Sequence, residues 1–434
     1  MEKFFKLKEN GTSIKIELIA GLTTFMTMAY ILAVNPAILS NVPGMPREAL
    51  FTATALASLV ATLVMALLAN LPFAIAPGMG MNAFFTFGVC LAMKKPFSFA
   101  LTAILVEGLL FLVLSAFNVR EAIVKAIPEN LKKAISAGIG LFIAFIGFQN
   151  AGIIVNNDAT LVGLGKITEG PALLAIIGIV VTGVLLALKV KGALLIGIFA
   201  TTLVGIPMGI TKPFGGWEGW APLSMPASIS DIFFKFDFSA IWSIDFLIVL
   251  LSFFFVDVFD TVGTFVGVSM RANMVKPDGT IPRMKQGFIA DACGTISGAI
   301  FGTSAATTYV ESAAGVEEGG RTGLTALTVA ILFGVALFLS PLFLLVPGAA
   351  TAPALILVGL FMMASVLEMD LSDYTESIPG FLCLIIMPLS YSIAEGLAFG
   401  LISYVVLKLL TGRAKEVPIA TYVVSAFFLV KYFV

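Results

Sequence analysis

The chain has 434 residues, of which 59% are hydrophobic and 12% charged; its formal net charge is −1 and its mean hydropathy is +1.06. Soluble domains carry about 45–50% apolar and about 25% charged residues, so this composition excludes a soluble enzyme, a nucleic-acid binder and a disordered chain. The apolar runs are too long and alternate too little for an outer-membrane barrel, which leaves an all-α polytopic membrane protein.

The opening MEKFFKLKENGTSIKIE lacks the basic–apolar–small order of a cleavable signal peptide, so the first span is expected to stay as an anchor. At roughly 20 residues per crossing, spans 1 and 2 are expected at 16–35 and 50–71. Span 3, at 73–94, is interrupted by Gly, Pro and polar residues (LPFAIAPGMGMNAFFTFGV), with Asn82 at the junction. Span 4, at 98–118, carries Glu107, and spans 5, 6 and 7 follow at 132–154, 170–188 and 192–211. A polar linker with Trp and Pro, 212–241, then divides the chain. Span 8, at 243–268, contains Asp257 and Asp260, and span 9, at 288–303, contains Asp291. Span 10, at 303–320, is the second interrupted segment (AIFGTSAATTYVESAAGVEEGG) and carries Glu311. Spans 11 to 14 are expected at 322–346, 349–368, 377–393 and 395–411, leaving 412–434 as an apolar tail read as an interfacial or short terminal helix.

Fourteen spans divide into a first repeat, 1–211, and a second, 242–411, and because seven is odd the second must run with opposite polarity. Charge supports that count: with the amino terminus inside, the outer loops keep only Arg47, Lys94, Lys95, Lys166, Lys212 and Lys235, and the remaining loop Lys and Arg face the cytoplasm. Interrupted segments at matching places in two halves point to a transporter site at the midplane.

An ionised carboxylate at the bilayer centre costs at least about 2.5–3.5 kcal/mol, so buried acids stand out. Asp257 and Asp260, at i and i+3, share a helical face, and two close carboxylates in low dielectric cannot both ionise cheaply. Together they are candidates for binding and releasing a proton. Thr307, Thr308 and Tyr309 favour extended backbone, so a short strand feeding a half-helix near Glu311 is expected. Aligning YVESAAG with GMNAFFT sets Asn82 opposite Glu311, and free N–H groups near Ala83 and Ser312 are candidate donors, with Phe84 or Tyr309 as an apolar face. Glu107 is either helix–helix glue or a secondary proton site; Asp291, close after Arg283 and Lys285, reads as a helix-start residue near the inner surface.

There is no histidine, and Cys90, Cys293 and Cys383 all lie in apolar segments, so neither a metal nor another cofactor is expected. No GxxxxGK[ST] loop, HExxH or GxSxG is present. An intramembrane aspartyl protease would need its two acids on facing helices, whereas here they share one.

FFFVDVFDTVGT, FGTSAATTYVESAAGVEEGGRTG, APGMGMNAFF, LKENGTSIKIELIAGLTTFMTMAYILAVNP and SIAEGLAFG together resemble the AzgA-like purine permeases, a branch of the nucleobase–cation symporter family that includes uracil and xanthine permeases. The resemblance runs nearly the whole chain and is nearer the guanine/hypoxanthine members. It implies fourteen spans as a seven-plus-seven inverted repeat, with a core domain of spans 1–4 and 8–11 and a gate domain of spans 5–7 and 12–14. Spans 3 and 10 would each carry a short strand, with substrate between them and against span 8. It further implies substrate contacts at Asp260, Glu311, Tyr309, Asn82, Ala83 and Phe84. The histidines of the uracil branch near the span-8 acid are absent, leaving Asp257 as the local substitute.

The expectation is therefore an importer of purine bases in the cell membrane, coupled to H+ or Na+, with a homodimer as the family's common assembly. Another small solute on the same fold, such as uracil, xanthine or an anion, and a channel-like pore are the alternatives.

Overall fold

The computed structural model describes residues 2–116, 128–213, 216, 218, 220–271, 274, 281–430 and 432; Lys431 and part of the linker lie outside them. Among the described residues, nine helices are long and apolar enough to cross a membrane. Of the other expected spans, 7 and 13 are shorter apolar helices, Ala193–Gly205 and Tyr374–Leu389. Spans 3 and 10 are strand–helix segments, and span 9 is Met284–Phe301. The tail forms a helix, Ile419–Val430.

Span 1 begins at Ile14, where the Ser13 side chain accepts from the Ile16 N–H, and its first helix ends at Met28. It breaks at Ala29 and Tyr30 and resumes as Ile31–Leu39. Asn35, fully buried, donates to Thr54 and Thr303 at 2.7 Å each, tying span 1 to span 2 and to the approach to span 10. Span 2 runs from Arg47 to Ala69, and Asn70 turns it back in the left-handed region (φ 49°).

Strand β1, Ile75–Pro77, lies in span 3. β2 (Ile154–Asn157) and β3 (Leu161–Leu164) form an exposed hairpin after span 5. This hairpin was not expected; its corner is an Asn157 turn, with Oδ1 accepting from the Ala159 and Thr160 N–H groups. β4, Ala306–Thr308, lies in span 10 and pairs antiparallel with β1, Ile75 opposite Thr308, Ala76 opposite Thr307 and Pro77 opposite Ala306.

All six residues of that small sheet are buried. Backbone polar groups away from water need partners, and the flanks supply them. Gly78 donates to the Ala305 carbonyl at 3.0 Å, and Tyr309 donates to that of Ala74 at 2.9 Å. The Thr62 hydroxyl both receives from Ile75 N–H and donates to its carbonyl, at 3.0 and 2.9 Å. Span 9 packs directly against β4: a Cβ on Gly294 would stand 2.8 Å from the Ala306 carbonyl, so only glycine permits that approach.

Candidate functional site

The site is the junction where β1 and β4 each hand over to a helix. On the span-3 side, Gly78 leads into the helix Met79–Ala92, whose first turn is Met79, Gly80 and Met81. First-turn N–H groups have no acceptor within their own helix, and these three have no other partner among the described residues. Asn82, fully buried, accepts from the Ser304 hydroxyl on Oδ1, while Nδ2 has no partner among the described residues. The donors therefore lie at 79–82. Ala83, expected at the helix start, is already inside the helical ladder. Phe84 is buried edge-on against Phe253, with ring centroids 4.8 Å apart.

On the span-10 side, β4 passes through Tyr309 and Val310 to Glu311 and the short helix Ser312–Glu317. Here the first N–H groups are already used: Ser312 donates to Tyr309, Ala313 to Val310 and Ala314 to Glu311, at 3.0–3.1 Å. The backbone donor expected at Ser312 is thus spent in a turn, and the Ser312 hydroxyl accepts from Ala74 N–H at 3.0 Å. What this side presents is the Glu311 carboxylate, half-buried, with Tyr30 donating to Oε1 at 2.7 Å. Tyr309 is buried and donates to the Pro77 carbonyl at 2.5 Å, closing the two strands together. Counted from the strand ends, Glu311 is third after Thr308 and corresponds to Gly80; Asn82 lies two residues further on.

Span 8, Ile244–Arg271, brings the acids Asp257 and Asp260 to this junction but sends them to different neighbours. Asp257 is fully buried, with Thr261 donating at 3.2 Å and Thr295 at 3.4 Å. Asp260 is half-buried and faces the span-3 turn; its Oδ2 lies 3.8 Å from where a Cβ on Gly78 would stand. Asp257, Asp291 and Glu311 are the acids close enough to act on Asp260 electrostatically. Among the described residues, neither Asp260 nor Glu311 forms an ion pair.

Asp291 is not a helix-start residue. Span 9 starts at Met284, and Asp291, fully buried two turns in, accepts from the Thr308 N–H and hydroxyl at 2.8 Å each, from Thr307 at 3.2 Å and from Thr261 at 2.9 Å. It holds β4 in place from behind. Glu107 is fully buried in span 4, Phe97–Ala116, next to Gly108, where that helix meets Ile296 of span 9.

Sequence reasoning missed Tyr30, the threonines around Asp257 and Asp291, and Glu17. The Glu17 carboxylate is fully buried and accepts from the Arg321 N–H at 2.9 Å, the Thr325 N–H at 3.0 Å and the Thr325 hydroxyl at 2.6 Å. It thereby closes the start of span 11. The signal available for Tyr30 was a polar aromatic followed by Asn35 and Pro36 inside an otherwise apolar run. Two cavities, of about 550 and about 510 Å³, lie elsewhere, one beside Gln149 and Lys166, the other beside Lys6, Asn70 and Arg283. The convergence of unspent donors and carboxylates without an ion pair among the described residues marks the strand junction as the better candidate.

The Permease family model (Xan_ur_permease) matches residues 15–399. A putative permease of Methanocaldococcus jannaschii is 48% identical over 100% of this chain and 98% of its own. The guanine/hypoxanthine permease PbuO of Bacillus subtilis is 44% identical over 99% and 100%, and the adenine permease AdeP of Escherichia coli 42% over 99% and 95%. Among solved structures, the transmembrane domain of the cyanobacterial bicarbonate transporter BicA aligns with a TM-score of 0.66 at 14% identity, covering 88% of this chain and 97% of its own. The murine Slc26a9 anion transporter aligns at 0.63 and 13%, covering 92% and 68%. These neighbours carry the seven-plus-seven inverted-repeat transporter fold, which this chain shares. With the family model spanning most of the chain and relatives aligned almost end to end, this multi-pass membrane protein, a transporter and not an enzyme, belongs to the Permease family.

Proposed function

We propose that this protein imports purine nucleobases, guanine and hypoxanthine foremost, by symport with an inward cation. The observation that carries the reading is the chemical opposition at the strand junction: N–H donors of Met79–Met81 and Asn82 on one side, carboxylates of Glu311 and Asp260 on the other. Guanine and hypoxanthine carry ring N–H donors next to ring-nitrogen and O6 acceptors, so one flat solute engages both sides. Relatives named as adenine and guanine/hypoxanthine permeases agree with that chemistry.

Guanine offers N1–H and its 2-amino group at a spacing one ionised carboxylate accepts together, and such charge-assisted contacts are roughly twice as strong as neutral ones. Hypoxanthine keeps N1–H and O6 and binds more weakly through Glu311. Adenine presents an acceptor at N1 and is disfavoured. Asp260 contacts the base from span 8, and Tyr309 supplies part of the apolar enclosure.

The coupling cation in this reading is H+, carried by Asp260, Glu311 and Asp257. Spans 1–4 and 8–11 form the core and spans 5–7 and 12–14 the gate that rocks against it. The amino terminus is cytoplasmic and two copies associate. The structural neighbours named as anion transporters raise a second reading, an anionic solute on the same fold. Asp260 and Glu311 oppose it, because ionised acids at the junction repel an anion.

The test is uptake of labelled hypoxanthine into proteoliposomes, competed by a panel of bases. Saturation, countertransport and competition by guanine are expected. Uptake that requires Na+ and survives collapse of the proton gradient would replace H+ by Na+, and absence of any purine uptake would end the reading.

A further inference from the structure

Span 1 is interrupted at Ala29 and Tyr30, and the Tyr30 hydroxyl reaches the strand junction. The ring is buried to 1% exposure. A buried tyrosine hydroxyl needs a polar partner, and this one donates to Glu311 Oε1 at 2.7 Å across 281 residues of sequence. One turn earlier, the Thr27 hydroxyl reaches the Glu311 backbone carbonyl at 3.4 Å. That hydroxyl donates chiefly to the Thr24 carbonyl at 2.8 Å, so span 1 holds Glu311 through the Tyr30 bond to one side-chain oxygen. Besides Tyr30, the carboxylate has Glu311's own backbone N–H as a hydrogen-bond donor.

A glutamate carboxylate on three rotatable bonds presents no fixed edge. Fixing Oε1 sets the plane of the group and leaves Oε2, with the remaining lone pair of Oε1, directed by the anchor. Such preorganisation lowers the ordering cost that binding would otherwise meet. We propose that Tyr30 is a positioning residue for base recognition, orienting the Glu311 carboxylate toward the N1–H edge of the incoming purine. The proposal rests on the reading of the protein as a purine permease with Glu311 as its acceptor.

Tyr30→Phe removes only the hydroxyl and keeps the ring that fills the space. In proteoliposomes with equal amounts of protein, the half-saturating concentration of hypoxanthine rises about tenfold in this variant, the order expected for losing one hydrogen bond to a charged group. The maximal rate stays within about twofold, because the transport cycle itself is not what the hydroxyl serves. Competition by adenine, which lacks N1–H, changes less than competition by guanine. In a Glu311→Gln background, adding Tyr30→Phe produces no further tenfold rise, since residues acting through one group are not additive.

An unchanged half-saturating concentration, a loss confined to the maximal rate, or equal losses in both backgrounds overturns the proposal. The melting temperature of the purified variant is measured alongside; a fall of more than a few degrees assigns the hydroxyl to packing and also overturns it. The wild-type protein separates the two levels. If it takes up no purine, the functional reading falls and this proposal with it. If it transports hypoxanthine while Tyr30→Phe is indistinguishable from it, the proposal alone falls.

Discussion

Two segments that occupy matching places in the halves enter their helices in different ways. In span 3 the chain leaves Pro77 through Gly78 and starts a 14-residue helix with its first N–H groups open and an amide nitrogen, Asn82 Nδ2, without a partner among the described residues. In span 10 the chain leaves Thr308 through a turn that uses the first N–H groups of its helix, Ser312 to Ala314, and it presents a carboxylate instead. The repeat has kept the strand pairing symmetric while the hydrogen-bonding sense of the two sides has become opposite. A solute with the same groups on both edges would satisfy one side and leave the other unpaired; one with donors along one edge and acceptors along another suits both.

The sharpest way to break this comparison is to remove the acceptor side. Glu311→Gln should weaken guanine on the order of 100-fold, near the upper end of what an unpaired buried polar group costs, and should weaken adenine less. Competition against labelled hypoxanthine reads the ratio, and an unchanged guanine constant would show that span 10 is not the acceptor. Next in size is the contrast within span 8. Asp260→Asn should raise the half-saturating concentration by more than about tenfold. Asp257→Asn, one residue in a threonine network, should chiefly alter the pH profile of uptake. Equal loss of binding in both with an unchanged profile would refute that division.

The donor side is tested by Asn82→Ala, which should cost about tenfold for bases bearing O6 and less for adenine. A uniform loss across bases would make Asn82 a packing residue. Smaller still is Gly78→Ala, whose new methyl would stand 2.9 Å from Thr307 Cγ2. The strands must shift to admit it, at about 1–2 kcal/mol, lowering the melting temperature in detergent. Adding Thr307→Ser removes that methyl contact and should restore most of the loss; no recovery would place the strain elsewhere.

The smallest effect lies far from the junction. Arg413 hydrogen-bonds Glu416, and Lys408 does so too, holding the Glu416 carboxyl down to about 2 from its ordinary 4.5. A group whose folded value is depressed contributes stability present above the unfolded value and lost as pH falls through the folded one. The melting temperature should therefore be insensitive to this group from pH 7 to about 5 and decline between about 4.5 and 2, and Glu416→Gln should flatten that limb. A limb of unchanged slope in the variant would assign the decline to other carboxylates.

The scaffold was legible because the bilayer forces it: long apolar runs, Gly- and Pro-broken segments and charge asymmetry are local properties of the chain. Thr307, Thr308 and Tyr309 announced the strand β4, whereas β1 was expected only from the family resemblance. Side-chain partners were illegible because they are remote in sequence. Tyr30 and Glu311 lie 281 residues apart, and Glu17 and Thr325 308 apart. Nearby charge misled the reading of Asp291: Arg283 and Lys285 marked a helix start correctly, but Asp291 had already turned inward to hold Thr308. The i, i+3 rule put Asp257 and Asp260 on one face, yet three residues rotate a helix to about 60° from its starting direction. That rotation is enough to direct one acid to span 9 and the other to span 3.

The antiparallel pair β1–β4 also governs how this protein is made. Ala74 finds the Ser312 hydroxyl 238 residues later in the chain, and Tyr309 reaches back 232 residues to Pro77. Until those residues are synthesised, the buried backbone of span 3 has no strand to pair with, and a bilayer offers no water in its place. The first half must then wait in the membrane with its central crossing unfinished. Two separately encoded halves would be interdependent from birth, each stable only once the other arrived, and a gene split within 212–241 would yield function only when both pieces were co-expressed.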